Sequence, residues 1–316
     1  MNLKTARREP SQSASEWWQG LWDTVAYHPN MSFTLTLVNH APLVYNRYLA
    51  RFQKQSVLHA LKHIGSLAGK RVLDVGCGQG RWTKLWSRLG ADAIGVDISL
   101  PLLSANIVGP SDNPKPEYHY AAMAVENLAI ADRSVDMTSS ITVLQHIPYE
   151  RQQRAIREMV RCVRPGGLIL IHEHVRRQPG VEGSDASTTF PNLPEEWVGM
   201  FGDEGCHLLF AERCPLMPLF AAYWSLRDRI LRLVKPAGSR SPSPGSPSGS
   251  LQQVPARNRH ALARLYRTVN YCVYWLLTWP SWGMEYLLQL LPRKDRWTGQ
   301  ATLGAHQTFL FKKGGK

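Results

Sequence analysis

The stretch Val72-Leu73-Asp74-Val75-Gly76-Cys77-Gly78-Gln79-Gly80-Arg81 is a short apolar run that ends in three glycines at every second position. Such a run reads as a buried strand, and the amphipathic segment Trp82 to Leu89 behind it reads as a helix. Glycines between the two let the turn take positive φ and let backbone N–H groups come close to a bound molecule. Ligands of open parallel sheets sit at the carboxyl ends of the strands. The next apolar run ends in Gly95-Val96-Asp97. It sets a carboxylate at that same end, where it can accept both hydroxyls of a ribose.

The same alternation continues on both sides. Apolar runs at Ala93 to Val96, Tyr118 to Ala122, Val135 to Ser140 and Leu168 to Ile171 predict further strands, and Leu100 to Ile107 and Glu150 to Val163 predict helices between them. Strands alternating with helices imply a parallel sheet covered on both faces. Upstream, Trp17 to about His63 reads as a helical lead-in. Downstream come a polar loop at 176–192, a helix from Pro194 to Phe201, a strand from His207 to Ala211 and a last strand from His306 to Phe311.

Spacing narrows the nucleotide. A dinucleotide fingerprint needs GxGxxG, but the third position after Gly78 is Arg81, and no GxxxxGK[ST] is present to cradle a triphosphate. DVGCGQG followed by GVDIS resembles the first two motifs of the class I S-adenosylmethionine-dependent methyltransferases, in particular those acting on quinones, lipids and other small molecules. The resemblance continues through Glu126-Asn127-Leu128, Ser134-Val135-Asp136, Val143-Leu144-Gln145-His146-Ile147 and Val163-Arg164-Pro165-Gly166-Gly167, and covers about residues 45–212 plus the last strand.

That resemblance implies an α/β fold with a Rossmann-like, seven-stranded, mostly parallel sheet and helices on both faces, to which this chain's own pattern adds a helical insertion before the last strand. It implies S-adenosyl-L-methionine as cofactor, with Gly76, Gly78 and Gly80 along its methionine half and Asp74 beside its amino group. Asp97 would bind the ribose, Ile98 would pack on adenine, and Ala124-Val125-Glu126 would lie at the adenine edge. Many relatives carry Asp where this chain has Ala124, which leaves backbone groups of Val125 and Glu126, or the Glu126 side chain, to serve that edge. Relatives often set an upstream Arg against the cofactor's carboxylate, and Arg47 and Arg51 are the residues at hand. Trp17, Trp18, Trp22 and Tyr27 could form a lid or simply pack.

Methyl transfer to a hydroxyl or amine also needs a proton acceptor, for which histidine is the usual device. His146 after the fourth strand, and His172 and His174 after the fifth, stand where the strands open on a cleft. His174 is the first choice as catalytic base and His146 the second. Strand alternation puts His172 and His174 on one face and Glu173 on the other. Metal is not expected, because the His-Glu-His run has no third ligand. The five cysteines form no CxxC and no zinc spacing either.

The net charge of +13 is unevenly placed. Residues 71–176 carry 12 basic against 11 acidic side chains, whereas 213–296 carry 13 basic against 3 acidic. The expected division is therefore a lead-in at 1–66, a catalytic core at 67–213 and 301–316, and a basic, aromatic insertion at 214–300. A Ser/Pro/Gly tract at 236–255, which cannot bury a core, interrupts the insertion. Basic residues beside Trp and Tyr on amphipathic helices fit an anionic membrane surface; a helical lid with a solvated basic face fits them as well. The N-terminus has no apolar run of a secretory signal, and neither Thr24 to Asn46 nor Thr268 to Met284 makes a convincing span.

The function expected is transfer of a methyl group to an oxygen, less readily a nitrogen or carbon, of a small or lipid-like acceptor. The location expected is cytoplasmic, with peripheral attachment to membrane left open. RNA methylation and a non-catalytic S-adenosylmethionine-binding protein are the alternatives. Nucleic acid is the lesser of the possible partners, since no RNA-binding module or Asn-Pro-Pro-Tyr motif occurs. The sequence leaves the oligomeric state open.

Overall fold

The computed structural model describes residues 19–20, 22–23, 43–104, 118–176, 189–213, 268–269, 271–280 and 306–315. Most of the lead-in, and the insertion at 214–300 apart from 268–269 and 271–280, lie outside the described residues, as does the tract at 236–255. Trp17, Trp18 and Tyr27 are outside them too. The chain divides into two compact units: Met1–Thr36, Arg51–Pro215 and Gly304–Lys316 form one, and Leu37–Ala50 with Leu216–Leu303 form the other.

The elements follow in the order α1 (Leu43–Leu61), β1 (Arg71–Val75), α2 (Arg81–Arg88), β2 (Asp92–Asp97), α3 (Leu100–Ser104), β3 (Tyr118–Ala122), β4 (Val135–Ile141), a 3-10 turn (Leu144–His146), α4 (Tyr149–Cys162), β5 (Val163–His174), α5 (Pro194–Asp203), β6 (Cys206–Arg213) and β7 (His306–Lys313). Their strands form one seven-stranded sheet in the order β3-β2-β1-β4-β5-β7-β6. Pairs from β3 to β5 are parallel. β7 runs antiparallel to both β5 and β6. The strand order reverses between β1 and β4, so the crevice that favours ligands opens above the glycine turn.

Burial on both faces explains the continuous apolar runs. Along β5, Ile169 and Ile171 join Leu73, Val75, Ile156, Met159, Trp197, Phe201, Phe309 and Phe311 on the α4/α5 side. Leu170 joins Val72, Trp82, Trp86, Met137 and Leu310 with Val57 and Ala60 of α1 on the other. Each such side chain contributes roughly 1.5–3 kcal/mol of transfer free energy. Helix α4 buries Gln152, Ala155, Ile156, Met159 and Val160, the spacing of one helical face. Its Gln152 amide donates to the carbonyls of Leu144, Ile147 and Phe190, which fastens the helix to the turn ahead of it.

Several boundaries depart from the sequence expectation; β5, for one, begins at Val163 rather than Leu168. β5 extends through His174 rather than ending at Ile171, because β7 pairs with it residue by residue up to His174 opposite His306. Helix α3 is described only to Ser104.

Candidate functional site

All three glycines of the turn have positive φ: +68° at Gly76, +53° at Gly78 and +68° at Gly80. Two of them are also crowded. A Cβ on Gly76 would stand 2.3 Å from the Val143 side chain, and one on Gly80 would stand 1.9 Å from the Tyr120 hydroxyl. At Gly78 nothing among the described residues lies within 4 Å of that position. A side chain at Gly78 would therefore meet none of the described residues, while Gly76 and Gly80 hold the turn down.

Asp97 clasps that turn from the end of β2. Its two oxygens accept the N–H of Gly78 at 2.8 Å and of Ser99 at 2.9 Å. The carboxylate is 8% exposed, and burial raises its pKa against the opposing N–H donors. Each oxygen keeps a second lone pair, so the residue can still accept from a diol. The Ser99 hydroxyl in turn donates to Asp23 at 2.5 Å. A positive-φ glycine turn held by a nearly buried carboxylate at a strand switch point fits the sugar and amino-acid halves of S-adenosylmethionine.

Asp74 lies beneath the turn. It is 1% exposed and accepts the hydroxyls of Thr83, at 2.6 Å, and Ser139, at 2.9 Å. Burial pushes its pKa up to about 6 despite those donors. The sequence expectation set Asp74 beside a ligand's amino group; the geometry shows its oxygens engaged in joining β1, β4 and α2. Arg81, which the sequence reading treated only as a spacing mark, is half-buried, donates to Gln53 Oε1 at 2.8 Å and stacks over Trp82. Burial lowers it to about 10, with Asp74 acting the other way. Arg51 is exposed on α1.

On the β3 side, Ile98 and Ala124 are half-buried, and Val125 is 9% exposed. The Glu126 carboxylate pairs with Arg151 at 2.5 Å and its carbonyl accepts from Arg154 at 2.9 Å. Glu126 is thus already occupied by α4, a partner the local sequence could not reveal.

Four histidines gather at the ends of β4, β5 and β7. His146 is half-buried, with the Trp22 ring edge-on at 5.0 Å. Trp22 is the lead-in aromatic that the structure brings to the site. His174 sits opposite His306, with ring centroids 5.4 Å apart, and its N–H donates to Gln145 Oε1 at 2.6 Å. His172 is fully buried and stacks on His306 at 5.4 Å. His306 was missed because only the β5–β7 register carries it here. Burial and, next, Arg81 lower His172 to about 3; burial and His146 lower His174 to about 4; burial drives His306 well down.

These shifts have a defined sign. The unfolded imidazoles bind protons near pH 6.5 while the folded ones stay neutral, so this contribution to stability is present above about pH 6.5 and is lost as pH falls toward 4. Replacing His306 by Phe is expected to flatten that acid slope by up to about 1.4 kcal/mol per pH unit. Urea midpoints at pH 7 and pH 5 measure it; an unchanged slope would show that His306 carries no such linkage.

Glu173 points to the other face and is fully buried. It accepts the N–H groups of Val143, Leu144 and Gln145 at 3.1–3.2 Å and the Ser140 hydroxyl at 3.2 Å. The three N–H donors follow Thr142, a β-branched residue held at φ +62° with its N–H on the His172 carbonyl at 2.7 Å. Strain of this kind persists where surrounding bonds over-determine it. The turn that carries His146 is therefore anchored on Glu173.

Comparison with known proteins adds a match over part of the chain. Residues 73–171 match the family described as a methyltransferase domain. The malonyl-[acyl-carrier protein] O-methyltransferase of Pseudescherichia vulneris is 32% identical over 47% of this chain and 52% of its own length. The ubiquinone biosynthesis O-methyltransferase of Nitrosococcus oceani is 34% identical over 35% of this chain and 47% of its own. The chain thus spans about half the length of the curated relatives it matches. Among solved structures, the [4+2]-cyclase SpnF superposes with TM-score 0.50 at 18% identity, covering 84% of this chain and 82% of that one. A protein of Galdieria sulphuraria, solved as a candidate sarcosine dimethylglycine methyltransferase, gives 0.52 at 14% identity, covering 86% and 89%. At such identities these two show the fold alone.

Proposed function

We propose, starting from a chain that carries a class I S-adenosylmethionine-dependent methyltransferase domain, that this protein moves a methyl group to an oxygen of a small or lipid-like acceptor. The observation that carries the reading is the clasp of the positive-φ glycine turn by Asp97 at the strand switch point. Oxygen is favoured because the relatives matched over this region, malonyl-[acyl-carrier protein] and ubiquinone biosynthesis enzymes, are named O-methyltransferases.

S-adenosylmethionine, when bound, supplies a methyl group already activated on a sulfonium sulfur. The protein's work is then to align the acceptor and exclude water. The glycine turn would take the methionine half, Asp97 the ribose, Ile98 the adenine face and Ala124 with Val125 its edge. Arg51 would serve the carboxylate, and Asp74 would hold the turn's underside. His146 and His174, with Trp22, would line the acceptor side. Incubating the protein with methyl-labelled S-adenosylmethionine and a cell extract, followed by mass spectrometry, is expected to yield a labelled ether or ester. Label appearing only in ribonuclease-sensitive material would favour RNA as acceptor instead.

The helix at 271–280 supports a membrane-facing role for the insertion. Tyr271, Trp275 and Trp279, four residues apart, are 51%, 48% and 58% exposed, and Leu276 is 60% exposed. No helix of the described residues is long and apolar enough to cross a membrane. An aromatic helix within a segment of 13 basic and 3 acidic residues suits peripheral docking at the cytoplasmic side of an anionic bilayer. Co-sedimentation with phosphatidylserine vesicles is expected to fall sharply on deletion of 214–300; equal pelleting would reject the docking role.

A further inference from the structure

Arg81 opens α2 directly behind Gly80, so its backbone stands at the carboxyl end of β1, where the crevice lies. Helices α1 and α2 cover the same face of the sheet, with Val57 and Ala60 of one in a single cluster with Trp82 and Trp86 of the other. The Arg81 guanidinium joins the two helices. Its Nη2 donates to Gln53 Oε1 on α1 at 2.8 Å, and its central carbon lies 4.6 Å from the centroid of the Trp82 ring. Gln53 is 5% exposed. Because an arginine can only donate, this bond fixes the buried amide with its oxygen toward the guanidinium.

What the guanidinium lacks is an anion. Elsewhere in the fold Arg151 pairs with Glu126, Arg161 with Glu158 and Arg176 with Glu196. Among the described residues Arg81 has a neutral amide as its hydrogen-bond partner and no carboxylate within 4 Å. Asp74 favours its charge from further off but has spent its oxygens on Thr83 and Ser139. A guanidinium has five N–H donors, and Gln53 takes one. None of the rest is an enclosed atom, so they remain open to solvent. A half-buried cation steadied by an amide and an indole, with donors left open, is a seat for a planar anion, and its edge matches the two oxygens of a carboxylate.

We propose that Arg81, held by Gln53 and Trp82, binds the carboxylate of the cofactor's methionine half and thereby selects ligands that carry an amino-acid end. This rests on the methyltransferase reading above. Arg51, exposed two residues ahead of Gln53 on α1, then adds a surface charge, while Arg81 supplies the hydrogen bonds. Asp97 clasps the glycine turn from β2 and Arg81 leaves it at the start of α2. An acceptor for the sugar and a donor for the carboxylate thus belong to one turn. Holding a ligand at both ends restricts its reacting centre, as in-line transfer requires.

The test compares two ligands by calorimetry: S-adenosylhomocysteine, and 5′-methylthioadenosine, which keeps the nucleoside and the thioether but has no amino-acid end. Arg81→Met is expected to weaken S-adenosylhomocysteine about 30-fold, as loss of a charged hydrogen bond implies, and to leave methylthioadenosine within about twofold of wild type. Arg81→Lys, which keeps the charge without the fork, should fall between. Gln53→Glu would set a carboxylate against Arg81 and compete with the ligand. It is expected to weaken S-adenosylhomocysteine about tenfold while the urea midpoint holds or rises, a split that a purely structural role would not produce. Arg51→Ala should cost less than Arg81→Met. Equal losses for both ligands in Arg81→Met overturn the proposal, as do unchanged S-adenosylhomocysteine affinity in that variant or in Gln53→Glu, and a larger loss in Arg51→Ala. Failure of the wild type to bind either ligand would instead overturn the methyltransferase reading itself.

Discussion

Replacing Asp97 by alanine is expected to weaken S-adenosylhomocysteine binding by about 10²-fold, read by calorimetry. Two effects combine. The ribose loses a charged acceptor, worth about 1.5–3 kcal/mol. The N–H groups of Gly78 and Ser99 also lose their partner, so the turn that should meet the ligand is no longer preorganised. Asp97→Asn keeps an acceptor for one of those N–H groups and is expected to fall between the two. The fold should survive, because Asp97 lies at the tip of β2 and the core beneath it is apolar. Unchanged affinity in Asp97→Ala, or no binding by the wild type, would sink the cofactor assignment and the function built on it.

The contrast between Asp97 and the buried hydrogen bonds around His172 shows what a sequence can carry. The positive-φ glycine turn and Asp97 at the end of the next strand were legible because strand end, turn and next strand lie within thirty residues. The sheet was legible for the same reason, since each strand is a short apolar run with a helix beside it. His172 was seen as a strand-end histidine, but its partner Thr308 lies 136 positions away, across the insertion. Ser56 and Glu212 are 156 positions apart. No periodicity predicts which residues of β5, β7, β6 and α1 share one layer; that follows from the antiparallel register of the last strand. Glu126 is a second instance. Its place in a family motif suggested the adenine edge, whereas Arg151 of α4 holds its carboxylate. Asp74 is a third, an acid of the glycine motif whose oxygens are engaged by Thr83 and Ser139.

Glu173 governs the other side of the cleft, and its removal should have the largest effect on stability. Glu173→Ala would leave the N–H groups of Val143, Leu144 and Gln145 and the Ser140 hydroxyl without their acceptor in a site closed to water. The expected cost is about 3–5 kcal/mol, read as a lowered urea midpoint with an unchanged slope. Thr142 sharpens the expectation, since its strained φ is held partly by the turn that Glu173 anchors. Burial outweighs the hydrogen bonds and pushes this carboxyl up to about 8, so near neutral pH the folded protein holds a proton that the unfolded chain has released. A folded pKa above the unfolded value means that this contribution is complete below about pH 4.5 and is lost as pH rises toward 8, opposite in sign to the histidines. Glu173→Gln mimics the protonated form, keeps one acceptor oxygen and cannot titrate. It should destabilise less than alanine and remove up to about 1.4 kcal/mol per pH unit of the fall between pH 5 and pH 8. A Glu173→Gln protein with the same pH dependence as wild type would show that Glu173 is ionised in the fold, and that the turn beside His146 is held by a buried carboxylate rather than by a neutral acid.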